Sequence, residues 1–260
     1  MELKTTVKDL GRMPWFYRAN SRTGKIFGKK SLHLDEETEM VIDYMHYPKG
    51  FTTVLHRHPA SHGIYVLEGQ LETDGELYGP GTFVWYPEGI AATHGATEYE
   101  YLKCLLISNK AFSIEYLEEE EQRQNSLEKK VMDVNRMPWF YRPTTTTGKL
   151  FGKKALLLDD ETGMQINYMN YPAGFTTINH RHTAGHGFFV LEGQLQTGDE
   201  LYGPGTFIWY PEGYVTAHGA TEYEDLKGLQ ISNKTFKIEY VWSQGQELFM
   251  GSAEGRKFLG

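Results

Sequence analysis

The residues with the most chemistry in this chain are its histidines, and eight of the ten fall into two clusters. His56, His58 and His62 are followed at a distance by His94, and His180, His182 and His186 by His218. On an extended strand alternate side chains share a face, so His56 and His58 point one way and Arg57 the other. The same parity pairs His180 with His182 and turns Arg181 outward. Two converging imidazoles, a third a few residues on and a fourth from elsewhere in the chain can close a coordination sphere. Such donors suit Fe, Ni, Cu or Zn and disfavour Mg and Ca. A lone histidine is more often an ordinary half-buried residue, but here the same spacing of four occurs twice. One divalent transition metal ion per cluster is therefore expected.

The clusters belong to a larger repetition. Residues from Arg12 to Tyr116 align without a gap with those from Arg136 to Tyr240 at a constant offset of 124, and about two-thirds of the aligned positions are identical. A period this long is a whole domain repeated, since solenoid repeats run at about 20 to 50 residues. The 260 residues suffice for two domains with cores of their own. The expected division is 1–116, a charged linker or short exposed helix over 117–133, a second domain over 134–241 and a tail from 242 to 260. The linker carries Glu118 to Glu121 and Glu128-Lys129-Lys130. The tail holds Trp242, Leu248, Phe249, Met250, Phe258 and Leu259, so it is expected to dock on a barrel or a neighbouring subunit.

Within each copy the elements that must position the histidines read as short strands. A proline and aromatic lead-in (Arg12 to Arg18; Arg136 to Arg142) suits the outside of a barrel. Thr23 to Lys30 and Thr147 to Lys154 read as a turn and strand whose lysines guard a solvated edge. Strands from Met40 to Tyr47 and Met164 to Tyr171 end in Tyr-Pro-x-Gly turns. The histidine strands follow, then Ile64 to Gly69 and Phe188 to Gly193, then a Gly/Pro-punctuated aromatic strand ending at Pro87-Glu88-Gly89. Strands at about ten-residue spacing between such turns mean an all-β sandwich or barrel. His94 comes just after the Pro-x-Gly turn, and a jelly roll brings that segment beside His56 and His58. The interior near the histidines is expected to draw on Tyr44, Ile64, Val66, Trp85 and Tyr86, and on Tyr168, Phe188, Val190, Trp209 and Tyr210. Parity allows only one of Trp85 and Tyr86 to face inward. No inward acid or base besides the histidines is evident; Glu68 and Glu192 sit at turns.

The formal charge of −8 argues against nucleic acid or an anionic membrane as partner. No run of about 18 apolar residues occurs and the first residues form no apolar signal region, so a soluble cytoplasmic protein is expected. The single cysteine, Cys104, excludes an internal disulfide framework and reads as a small core residue, with Gly228 as its counterpart.

The order Gly50-x5-His56-x-His58-x3-His62-x6-Gly69, then Gly81-x5-Pro87-x-Gly89-x4-His94, resembles the two cupin motifs. Gly174 through Gly193 and Gly205 through His218 match equally well, so nearly the whole chain resembles a bicupin. The His-Arg-His-Pro opening and the Leu-Glu-Gly turn are most similar to the ChrR-like group. That group includes a zinc-binding anti-sigma cupin and relatives named for 2,4'-dihydroxyacetophenone dioxygenase. The resemblance implies tandem jelly-roll barrels and a metal site in each. It departs from the family at the third ligand, where His62 and His186 stand in place of the usual Glu, and in two extra residues before the last histidine. An imidazole in place of a carboxylate leaves a divalent ion its full charge, which strengthens a Lewis acid and raises the potential of an iron site. His62 and His186 are read either as ligands or as groups just outside a three-histidine shell. The leading expectation is an Fe(II) dioxygenase that cleaves a carbon-carbon bond beside a carbonyl of a small aromatic or diketone substrate, with O2 as second reactant. A Zn or Ni lyase, isomerase or hydrolase and a ChrR-type sensor are the alternatives, and a homo-oligomer or paired barrels are expected.

Overall fold

In the computed structural model, residues 3–118 and 127–242 are described, and all regular structure among them is β. The chain forms two compact units, one of Arg12–Met137 and one that joins Met1–Gly11 to the chain from Pro138 onward.

The first unit is built on a seven-stranded antiparallel sheet. Its strands run in the order Lys130–Asp133, Thr82–Tyr86, His62–Gly69, Leu102–Ser108, Val41–Tyr47, Ile26–Leu34 and Phe16–Ala19. A small sheet of His94–Ala96, Leu71–Thr73 and Glu76–Tyr78 and the pair His56–Arg57 with Glu115–Tyr116 complete it. The core joins them: Leu71, Ala92 and Ala96 cluster with Ile64, Tyr86 and Leu106 of the large sheet. Apolar area on both layers leaves water here, at roughly 25 cal/mol per Å². The second unit repeats the plan, with Thr6–Asp9 on one edge of its large sheet and Phe140–Pro143 on the other. This is the tandem jelly-roll architecture expected of a bicupin.

Parity along the strands sorts the aromatic residues into an inner and an outer set. Tyr86 packs in the core, whereas Trp85 lies against Phe83 on the opposite face, over Gly63. Tyr44 also faces outward and stacks on Trp15 at 5.3 Å, and Tyr168 on Trp139 at 5.4 Å. The lead-in segments therefore cover the outer face of each large sheet.

Three expectations are corrected. The lysines of Thr23 to Lys30 are not a solvated edge guard, because Ile26–Leu34 is paired on both sides. Lys30 is buried over the Trp15 ring at 4.4 Å, and Lys29 forms an ion pair with buried Asp43 at 2.6 Å. The stretch expected as linker or helix ends in a strand, Lys130–Asp133, which extends the first unit's sheet. The divisions at 1–116 and 134–241 also shift, since Thr6–Asp9 pairs with Thr206–Tyr210 of the second unit. Both cases have one cause: an edge strand offers unpaired N–H and C=O groups that a four-residue segment can satisfy. Glu119 to Glu121 and the tail beyond Trp242 lie outside the described residues.

One of the interior differences between the units is a compensated pair. Cys104 is fully buried, and in its place stands Gly228, where a Cβ would lie 2.3 Å from the Phe188 ring. Phe188 in turn takes the position of Ile64, so the bigger ring and the missing side chain go together.

Deleting residues 1–11 is expected to lower amide hydrogen-exchange protection in Thr206–Tyr210 while leaving Thr82–Tyr86 protected. Loss confined to the first unit would contradict the pairing.

Candidate metal centre

Three histidines of each unit come together. The ligand nitrogens of His56, His58 and His94 all lie within 4.8 Å of one another, as do those of His180, His182 and His218. All six residues are buried. His180 and His182 project from one short strand; in the first unit His58 directly follows the strand His56–Arg57, held by pairing of His56 with Tyr116 and by a bridge to Ala92. His94 arrives from the small sheet. Its backbone is clamped by Thr53, whose Oγ1 accepts from the His94 N–H at 3.1 Å and donates to the His94 carbonyl at 3.1 Å. Thr177 clamps His218 in the same way.

Gly95 permits this approach. A Cβ there would sit 2.1 Å from the Phe51 carbonyl oxygen, and one at Gly219 2.0 Å from that of Phe175. No side chain fits, so the His-Gly-Ala sequence is a positioning device that histidine spacing alone does not reveal.

The ring tautomers are partly set by the backbone. A carbonyl oxygen can only accept, so His56 donates its Nδ1–H to Val54 at 2.9 Å and His180 donates to Ile178 at 2.8 Å. His58 donates to the Ser113 carbonyl. Each of these rings keeps Nε2 with its lone pair, the form a metal requires. The His56 and His94 Nε2 atoms already face each other at 3.1 Å. His58 Nε2, both ring nitrogens of His182 and both of His218 are buried without a hydrogen-bond partner. Such orphaned groups cost about 1–3 kcal/mol each, and a bound cation would satisfy one lone pair on each ring. The donor set fits Fe, Ni, Cu or Zn, so each triad could hold one metal ion.

His62 and His186 fall outside the two groups. They lie against the triads instead: His62 is 4.6 Å from the His58 ring and stacks on Tyr86 at 4.8 Å. His186 stacks on His182 at 4.0 Å and on Tyr210 at 5.1 Å. Phe112 and Phe236 pack on His58 and His182 at 4.0 and 4.6 Å and also reach His62 and His186 at 5.2 and 6.4 Å.

Burial, reinforced by neighbouring imidazoles, drives the protonation of these rings down. His58 is lowered to about 4, His182 to about 2 and His186 to about 3, and His62, His94 and His218 lie well below their ordinary value. At neutral pH the triads are uncharged and ready to bind a cation without releasing protons.

In the second unit the triad opens into a cavity of about 630 Å³. Phe151, Met169, Tyr171 and Phe175 supply apolar wall, and Arg142, Lys153, Gln230 and Lys237 supply polar groups. None of the five interior residues expected for this copy, Tyr168, Phe188, Val190, Trp209 and Tyr210, is among the lining residues. Phe188, Val190 and Tyr210 form the core, and Tyr168 faces outward. In the first unit Ile64, Val66 and Tyr86 are likewise core, while Tyr44 and Trp85 face away from it. Sequence reading chose the wrong parity on the strand of Met169 and Tyr171. It also found no inward acid or base beyond the histidines, whereas Lys153 reaches the cavity and Asp43 is buried beside Lys29.

Replacing His58 or His182 by Ala is expected to remove about one metal ion per chain, and Ala at His62 or His186 to leave the count unchanged, by plasma mass spectrometry. Between pH 6.5 and about 4 the unfolded chain binds a proton on His58 that the fold excludes. The metal-free protein should therefore lose stability as pH falls through that window and keep it above. A denaturation midpoint unchanged from pH 7 to 5 would contradict this.

A family model described as ChrR Cupin-like domain matches residues 5–112 and again 127–227. No curated protein matches the chain. Among solved structures, a Nostoc punctiforme protein named as a candidate dioxygenase aligns with a TM-score of 0.75 at 14% identity, over 94% of this chain and 89% of that one. Bacillus subtilis oxalate decarboxylase aligns at 0.61 and 12% identity, over 97% and 84%. Hazelnut vicilin, from Corylus avellana, aligns at 0.57 and 10%, over 96% and 92%. At such identities the likeness is one of fold. With the family pattern matched once in each repeat, the chain belongs to the ChrR cupin-like family, as a bicupin with one histidine triad in each barrel.

Proposed function

We propose that the protein is an Fe(II) dioxygenase that cleaves a carbon-carbon bond beside a carbonyl group of a small substrate, with O2 as second reactant. The observation that carries the reading is the triad of buried, neutral imidazoles at the wall of an apolar cavity in the second unit. Three neutral donors leave an octahedral ion three free positions, enough for a chelating substrate and O2. Bound iron would supply the O2 chemistry and polarise the carbonyl oxygen.

The protein's own residues do the rest. The Val54, Ser113 and Ile178 carbonyls hold three imidazoles in the metal-binding tautomer. Phe151, Tyr171 and Phe175 pack as a cluster, with Tyr171 and Phe175 stacked at 4.7 Å, and give the cavity an apolar wall. Phe236 packs against both His182 and His186, at 4.6 and 6.4 Å. An apolar wall strengthens the electrostatic contacts of the buried triad.

The same uncharged triad favours a second reading. With zinc or nickel it would leave the ion its full charge as a Lewis acid for a lyase, isomerase or hydrolase.

The iron-loaded protein is expected to consume O2 with a 1,2- or 1,3-dioxygenated aromatic ketone, in step with carbon-carbon cleavage and with loss of activity in His182→Ala. Turnover that proceeds equally without O2 would overturn the dioxygenase reading in favour of the second one.

A further inference from the structure

The two units share a fold and a triad but differ in the charge beside it. In the first unit Lys29 is neutralised by Asp43 at 2.6 Å. The corresponding residues of the second unit are Lys153 and Asn167, in the same register, with Lys153 opposite Met169 and Asn167 opposite Ala155. Asn167 is buried and carries no charge. Among the described residues no carboxylate pairs with Lys153. Across the sheet a second exchange accompanies the first: Asp43 faces Leu106, whereas Asn167 faces Gln230. A third places Lys237 where the first copy has Ser113.

These exchanges converge on one cavity. Arg142, Lys153 and Lys237 all line it, and its described lining includes no Asp or Glu, in a chain whose formal charge is −8. Burial opposes protonation of Lys153, and Arg142 is near enough to oppose it further. Lys153 is half-buried, whereas Arg142 and Lys237 are exposed, and a half-buried cation beside another without a counter-charge is unfavourable. The remaining wall of Phe151, Met169, Tyr171 and Phe175 is apolar.

We propose that the cavity of the second unit binds a small organic carboxylate, its anionic group held by Lys153 and Arg142 beside the His180–His182–His218 triad and its apolar body against the phenyl rings, whereas the first unit has no such site. As the substrate class of the metal centre this rests on the function proposed above, but the anion site itself can be tested without metal. Gln230 offers the carboxylate an additional N–H donor. An ammonium and a guanidinium give the charge-assisted contacts that discriminate a carboxylate from its amide.

The test is calorimetric titration of the full chain, metal-free and metal-loaded, with benzoate and with its neutral analogue benzamide. Benzoate is expected to bind at about one site per chain and benzamide at least tenfold more weakly. Asn167→Asp should weaken benzoate at least tenfold by pairing with Lys153; the fold tolerates that pair, since the first unit contains it. Asp43→Asn/Leu106→Gln should do the reverse and raise the stoichiometry toward two. Unchanged affinity in Asn167→Asp, equal binding of benzamide, two equivalent sites in the unaltered chain, no benzoate uptake at millimolar concentration, or inorganic phosphate competing as well as benzoate would each overturn the proposal. Failure of the triad to hold metal would appear separately, as absent metal in the unaltered protein with the titration of the metal-free form unaffected.

Discussion

The structure depends on holding three neutral imidazoles in one buried place. Water would solvate each ring nitrogen at no cost, whereas burial leaves several without a partner and makes protonation unfavourable. The chain must therefore fix them by other means. It takes two from a single short segment by pleat parity, brings the third in through the close backbone approach at Gly95 or Gly219, and clamps that segment with Thr53 or Thr177. The sheets around them supply the apolar burial that offsets the cost, and a cation is the one ligand that satisfies all three nitrogens together.

Much of this could be read from the residues. The histidine spacing placed His56 and His58 on one face and turned Arg57 away, and Arg57 indeed pairs on the surface with Glu115 at 2.8 Å. The Gly/Pro turns gave the strand rhythm of a jelly roll, which in turn explained how a histidine as distant as His94 joins the group. His62 and His186 were harder, because parity is lost across the bend at Pro59-Ala60-Ser61 and its copy. Spacing says they are near the triads but not which way their rings turn, and the rings stack on Tyr86 and Tyr210. The interior residues were misplaced for a related reason. Strands of the large sheets are buried on both faces where the lead-in covers them, so apolar character at Tyr44 or Tyr168 does not distinguish inside from outside.

What the repeat concealed is how the copies diverge. At about two-thirds identity they read as equivalent, and the motif residues are the same in both. The differences that matter lie on neighbouring strands: Asp43 against Asn167, Leu106 against Gln230, Ser113 against Lys237. Each is unremarked in sequence, and only the ladder registers bring Asn167 and Gln230 together beside Lys153. The leading strands were equally hidden, since Thr82–Tyr86 and Thr206–Tyr210 present almost the same edge to Lys130–Asp133 and Thr6–Asp9. Two edges of nearly identical sequence do not announce which segment each will accept.

Anomalous diffraction from a crystal of the metal-loaded protein tests the triads most directly. The account predicts one peak per unit, bonded at about 2.1 Å to His56, His58 and His94 and to His180, His182 and His218, with His62 and His186 unbonded. A peak that binds all four histidines would contradict the three-histidine assignment, and no peak at either triad would contradict the metal centre itself.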